Sequence, residues 1–229
     1  MFLKARSWLP RSAIEFYDRH RFEAATAWGL YRQRHYTGTD LDYLQVGSYE
    51  THLPGFLNTD HFVNRAADFH VDIRYPLPFA NDRWVGIFAH HTVEHISYPT
   101  AMVFFREAHR CLRSGGVLRA VVPDVAKFIM IYAGKADDRI RALEGLIPPG
   151  HLESVNPKTP LGFVNWAYFS TIGNEHRSAW DFETMSCGLS EAGFRRVELS
   201  QCGRSLDPRM CGIDNQRWAE HSLYVEAVK

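Results

Sequence analysis

The chain has 229 residues, 45% hydrophobic and 23% charged, enough for one core of a sheet with covering helices and too few for two comfortable domains. Lys plus Arg and Asp plus Glu both number 26, so no global field draws it toward nucleic acid or an anionic membrane. Lys4, Arg6 and Arg11 interrupt the N-terminal apolar residues, nothing approaches the ~20 apolar residues of a membrane span, and Cys111, Cys187, Cys202 and Cys211 form no Cys-x-x-Cys pair; we expect a reduced, cytoplasmic protein with neither secretion signal nor disulfide framework.

Ile14, Tyr17, Ala24, Trp28 and Tyr31 recur at mostly helical spacing, which predicts a helix over 12–35 as a cap on a single domain, closed by the turn cluster Tyr36 to Asp40. Short, nearly continuous apolar runs follow: 41–46, 56–60, 68–73, 84–89 and 117–122, the pattern of strands buried on both faces of a parallel sheet. Between the last two, Pro99, Met102, Phe105, His109 and Leu112 predict a helix closed by Gly115-Gly116. Only residues 47–55 join the first two strands, fewer than a parallel crossover with its helix normally needs, so that connection must be an abbreviated turn or helix.

Residues 125–132 read as helix, and 133–180, rich in Pro and Gly at 147–157, follow no simple period, as in a lid. Asp181 can cap a helix with Phe182, Met185, Leu189 and Ala192 on one face and Gly193 at its end, before two alternating strands at 196–200 and 222–228. The whole predicts an α/β fold: a Rossmann-like three-layer sandwich with a mostly parallel seven-stranded sheet, its ligand beyond the carboxyl ends of the strands.

Several segments carry chemistry. Gly47, directly after a strand, lets backbone approach a ligand closely, although turn glycines are common. Asp60 ends the second strand, where a carboxylate can accept both hydroxyls of a ribose or simply be solvated, and Asp72 ends the third, where it can cap the Arg74-Tyr-Pro turn. Ala89-His-His-Thr-Val-Glu-His95 is the densest polar cluster, following the fourth strand, and His91 is a candidate acid or base.

Leu44-Gln-Val-Gly-Ser-Tyr-Glu-Thr-His-Leu-Pro-Gly-Phe-Leu-Asn-Thr-Asp60, Asp72-Ile-Arg-Tyr-Pro-Leu-Pro-Phe79, the 89–95 cluster and Glu107-Ala-His-Arg-Cys-Leu-Arg-Ser-Gly-Gly-Val-Leu-Arg-Ala-Val-Val-Pro-Asp124 together resemble the small class I S-adenosylmethionine-dependent methyltransferases of type 11. The resemblance covers most of 41–125 and returns weakly at 176–184 and 191–194. It implies S-adenosylmethionine as cofactor, with Gly47, Tyr49, Asp60 and His90 around it, Asp72 meeting the exocyclic amine of adenine, the Ile73 amide reaching the ring, and Phe79 as a wall of the adenine site. It also implies Glu94 bound to backbone amides and His95 holding the loop.

The implied reaction is methyl transfer to an oxygen or nitrogen of a small-molecule or glycan-like acceptor, with His91, then His176, as catalytic base. Tyr132, His151, Trp166, Tyr168 and Trp180 are expected to form the acceptor pocket. The family's second glycine is replaced by Tyr49, which opens the alternative of a binding module without catalysis. His91-x-x-Glu94-His95 also matches an inverted zinc-hydrolase motif that would need a further acid such as Glu153 or Glu175, but that motif requires both histidines on one helix, so no metal is expected. No Gly-x-Gly-x-x-Gly follows the first strand, which disfavours a nicotinamide enzyme.

Overall fold

The computed structural model describes residues 31, 33, 36, 38–61, 65–135, 159–169 and 176–229. The predicted helix 12–35 therefore lies almost wholly outside the described residues, as does most of the 133–158 segment.

Seven strands form one sheet: β1 (Tyr43–Val46), β2 (Phe56–Asp60), β3 (Phe69–His70), β4 (Trp84–His90), β5 (Leu112–Pro123), β6 (Arg196–Leu199) and β7 (Ser222–Val228). Their order is β3-β2-β1-β4-β5-β7-β6. The first five run parallel, while β7 is antiparallel to both β5 and β6. Helices α1 (Tyr98–Cys111), α2 (Val125–Tyr132), α3 (Pro160–Phe169) and α4 (Phe182–Glu191) are interleaved with the strands. This is the Rossmann-like architecture expected from the sequence.

Alternation along β4 divides two apolar clusters. Ile87 and Ala89 join the larger one with Leu44, Phe104, Phe105, Leu118, Trp180 and Leu189, whereas Phe88 points into a second with Phe56, Val121, Met210 and Tyr224. With both faces covered, the central strands read as continuous apolar runs. The β1–β2 connection, residues 47–55, contains turns and no helix.

Two expectations change. Residues 68–73 supply only a two-residue strand, because the Asp68 side chain accepts from Asn58 N and Nδ2, both at 2.9 Å, and Asp72 is bonded to Arg74. Gly115-Gly116 does not close α1; the helix ends at Cys111, Leu112 N–H reaches Ala108 O, and both glycines lie inside β5. Gly115 has φ +77° and its N–H reaches Lys229 O at 2.9 Å.

The sheet direction switches between β1 and β4, whose ends lie side by side with Val46 opposite Ala89. In an open parallel sheet this switch point is where a ligand crevice forms.

Candidate functional site

Gly47 leaves β1 at φ +71°, and an added Cβ would collide with the Thr92 side chain. Thr92 Oγ1 donates to His90 O at 3.1 Å, with Val46 O at 3.3 Å, clasping the turn after β1 to the turn after β4. Ser48 donates its N–H to Thr59 O at 3.0 Å, while its hydroxyl is buried with no hydrogen-bond partner. Tyr49 adopts φ +46°, and its N–H reaches Asp60 Oδ2 at 2.7 Å. That backbone direction leaves the Tyr49 side chain 73% exposed.

Asp72 lies beyond β3 and is differently committed. Arg74 donates from Nε to Oδ1 at 2.9 Å and from Nη2 to Oδ2 at 2.7 Å, and His61 Nδ1 stands 3.3 Å from Oδ2. Burial alone would raise its carboxyl, but His61 and Arg74 hold it well below the usual carboxylate range. Its N–H donates to Gln33 Oε1 at 3.0 Å, and Gln33 Nε2 donates to Pro76 O at 2.8 Å. Ile73 is buried in the core, and Phe79 is packed edge-on against Tyr36 and Trp84. Phe79 is thus a core ring.

The end of β4 gathers histidines. His90 Nε2 is buried with no partner, and burial, followed by the neighbouring His91, lowers the ring pKa to about 4. His91, at φ +49°, sets Nδ1 3.0 Å from Glu94 Oε1 and Nε2 2.8 Å from Ser222 Oγ. The Ser222 hydroxyl donates to Trp218 O at 2.6 Å, so toward His91 it can only accept. The two His91 ring nitrogens therefore stand against Glu94 Oε1 and Ser222 Oγ.

Val93–His95 forms a single 3-10 turn, with α1 starting at Tyr98, so the two histidines of His91-x-x-Glu94-His95 do not share a helix face. Glu94 is 1% exposed. Its main-chain carbonyl, not its carboxylate, holds the loop, accepting from Arg177 N at 2.7 Å and Ser178 N at 3.2 Å. This corrects the expectation that the side chain binds backbone amides. Burial favours the protonated carboxyl, but His91 beside it and the charges of His91, His95 and His176 bring its pKa down to about 2. The rings of His95 and His176 meet at 4.8 Å, and that of Tyr168 lies 5.6 Å from His176.

Trp218, His221 and Ser222 join this cluster without having been singled out in the sequence. Antiparallel pairing places Ser222 opposite Pro123, bringing the start of β7 to the carboxyl end of β5. His221 lies 5.4 Å from the ring of His91 and 5.0 Å from that of Trp218, and burial, followed by the nearby His91, lowers its pKa to about 3. The alternating last strand at 222–228 was the available signal, since pairing antiparallel to β5 brings its first residues beside the site.

The sequence model of the methyltransferase domain family matches residues 23–120, which span β1 to β4 and most of β5. That match is to the methyltransferase domain family and covers 98 of the 229 residues. No curated protein matches it. Among solved structures it is similar to a methyltransferase of Thermotoga maritima at 11% identity, covering 93% of this chain and 96% of that one with a TM-score of 0.48. A methyltransferase of Archaeoglobus fulgidus is similar at 15% identity, over 95% and 99% of the two chains with a TM-score of 0.44.

The cofactor of that methyltransferase domain family is S-adenosylmethionine. Two buried polar atoms without hydrogen-bond partners, Ser48 Oγ and His90 Nε2, follow or end β1 and β4 at the switch point, where Gly47 turns the backbone at φ +71°. A polar ligand there would satisfy both atoms, so these residues fit the cofactor. The Asp72 carboxylate does not offer a comparable opening. Of the residues expected around the acceptor, Tyr132 is exposed, Tyr168 is buried beside His176, and Trp180 is a core ring stacked on Tyr98 at 5.4 Å. His151, Glu153 and Glu175 and the Trp166 side chain lie outside the described residues. Among the described residues, no helix is long and apolar enough to cross a membrane.

Proposed function

We propose that this methyltransferase transfers a methyl group to an oxygen or nitrogen of a small-molecule or glycan-like acceptor, at the crevice beyond β1 and β4. The observation that carries this reading is the pair of orphaned polar atoms, Ser48 Oγ and His90 Nε2, flanking the β1/β4 switch point beside Gly47. When bound, S-adenosylmethionine supplies a methyl carbon on a cationic sulfur that leaves as a neutral thioether. The chain's part is to bring the acceptor atom into line with that carbon and to give an acceptor proton somewhere to go.

Gly47, Ser48 and His90 are assigned to the methionine end, and Asp60, which already orders the Tyr49 amide, to the ribose. His91 was the first candidate for the base, but its nitrogens are clamped between Glu94 and Ser222, so it positions Glu94 instead. The acceptor's proton is assigned to solvent at the neighbouring group of Glu94, His95 and His176, which keeps His176 among the working residues.

One feature favours a second reading, a binding module without turnover: Asp72 is sealed by Arg74, His61 and Gln33 where the nucleoside would lie. Calorimetry with S-adenosylmethionine and its demethylated product separates the two. Micromolar binding of both, followed by transfer of labelled methyl to a member of a phenol, amine and sugar panel, is the expected result. Absence of binding to either would replace the enzyme reading with the module.

A further inference from the structure

Glu94 is a carboxylate that methyl transfer by itself does not require. It is almost fully buried, its Oε2 has no hydrogen-bond partner, and Oε1 has the His91 ring 3.0 Å away but outside hydrogen-bonding alignment. A buried carboxylate whose two oxygens lack aligned hydrogen bonds leaves room for a cation to complete it. His95 Nδ1, one residue on, is also buried without a partner. His176 arrives from the far side, anchored by its N–H to Tyr168 O at 3.2 Å. One donor atom from each of Glu94, His95 and His176 lies within 4.8 Å of the others.

We propose that Glu94, His95 and His176 bind a divalent transition-metal ion of the zinc class, whose open coordination positions receive the acceptor atom of the methyl-transfer reaction.

The donor set selects the class. Two imidazoles and one carboxylate suit zinc, iron, nickel or cobalt, whereas magnesium and calcium prefer all-oxygen cages. Three protein donors leave at least one position open, as in catalytic rather than structural zinc sites. Donors about 2.0–2.1 Å from a tetrahedral ion sit about 3.3 Å apart, so the group closes on the ion through side-chain rotation rather than backbone movement. Glu94 forms the buried floor, and the partly exposed His95 and His176 put the open side toward solvent.

The outer shell is also in place: the His91 ring, backed by Ser222, stands 3.0 Å from Glu94 Oε1, and Oε2 is left for the ion. The arrangement differs from the inverted zinc-hydrolase motif, because here the glutamate is a ligand and His91 is not. It replaces the expectation of no metal, which rested on the absence of a shared helix face; His176, distant in sequence, supplies the third donor. The acceptor role rests on the methyl-transfer reading, whereas the metal site does not. A hydroxyl acceptor on the ion loses its proton more easily, passes it to water, and forms the new C–O bond as the methyl's bond to sulfur breaks.

The test uses the full chain, stripped with a chelator and dialysed, then titrated with Co2+ followed by visible absorption and with Zn2+ against a chromophoric chelator. One equivalent of each is expected, with the cobalt bands of a low-coordinate nitrogen and oxygen site. His95→Ala and His176→Ala should each weaken Zn2+ by at least about 100-fold, the upper end of what losing even an outer-shell partner costs. His52→Ala, remote from the cluster, should not. Should His95→Ala lose its folded circular-dichroism spectrum, His95→Gln and the partly exposed His176→Ala carry the comparison. Sub-stoichiometric binding in wild type, or affinity unmoved by both histidine variants, overturns the proposal. A protein that binds S-adenosylmethionine but no metal sinks this inference alone; one that binds metal but no cofactor sinks the methyl-transfer reading and leaves the site.

Discussion

Thr92 stands against Gly47, its side chain filling the space where any other residue would place a Cβ. The threonine also touches both strand ends, so the β1 and β4 turns are fixed to each other through one hydroxyl. Gly47→Ala meets two penalties, about 1–2 kcal/mol for an L-residue in the left-handed region and about 1–3 kcal/mol for overpacking. Denaturant melts should show a loss of about 2–5 kcal/mol. Adding Thr92→Ala should recover the steric share and leave the conformational one; an unchanged loss in the double variant would show that Thr92 is not what excludes the side chain.

Stability should fall as the protein is acidified from neutrality. His90 and His221 have folded pKa values of about 4 and 3, below the ~6.5 of an unfolded histidine. Above pH ~6.5 both are neutral in either state and their contribution is complete. Below it the unfolded chain takes up protons that the folded one refuses, at about 1.4 kcal/mol per pH unit for each ring. The two together remove on the order of 4 kcal/mol by pH ~5. Melts from pH 7.5 to 4.5 check this, and His221→Phe should roughly halve the slope between pH 6.5 and 4.5. A slope indifferent to His221 would assign the acid sensitivity elsewhere.

Arg119 is buried in β5 with Asp214 and Glu226, donating from Nε to Asp214 Oδ1 at 3.0 Å and from Nη1 to Glu226 Oε1 at 3.1 Å. Asp214 in turn accepts the Gly203 N–H at 2.7 Å, so this triad ties down the loop between β6 and β7. Arg119→Met leaves two buried carboxylates without their cation and should cost about 3–5 kcal/mol. Hydrogen exchange at the Gly203 amide should accelerate well beyond that of the β4 amides. Uniform acceleration across the sheet would argue against a local role.

Most of the frame was legible because burial on both faces forces apolar runs. β2, α2 and β7 fall where their residue types place them, and the nine-residue connection after β1 is read directly from the distance between Gly47 and Gly55. β3 was overestimated because an edge strand shortened by the Asp68 and Asp72 side chains keeps the composition of a longer one. At the site, Gly47 and the His90 to His95 cluster were visible as local patterns. Thr92, Trp218, His221 and Ser222 were not, since each gains its place only from sheet pairing, and Trp180, expected near the acceptor, was taken by the core. The helix over Pro160–Phe169 was hidden by the lack of an apolar stripe in a segment apolar nearly all round.

Asp60 and Asp72, two carboxylates at the ends of neighbouring strands, should behave differently when removed. Equivalence was the expectation from sequence, with one on the ribose and the other on adenine. The Asp72 carboxylate is instead consumed by Arg74 and His61, while Asp60 sits at the Gly47 turn and bonds the Tyr49 amide. Asp60→Asn should weaken S-adenosylmethionine by about 1–3 kcal/mol, the cost of losing a charge-assisted hydrogen bond, with a small change in melting. Asp72→Asn removes the partner of a half-buried guanidinium and should cost about 2 kcal/mol of stability while leaving cofactor affinity within about threefold of wild type. Tyr49→Gly, which deletes a ring that is largely in solvent, should also bind as wild type does. Calorimetry paired with denaturant melts on the three variants reads both quantities. An Asp72→Asn protein of wild-type stability that no longer binds the cofactor would show that Arg74 releases Asp72 to the adenine when the ligand arrives, restoring the role that the sequence suggested.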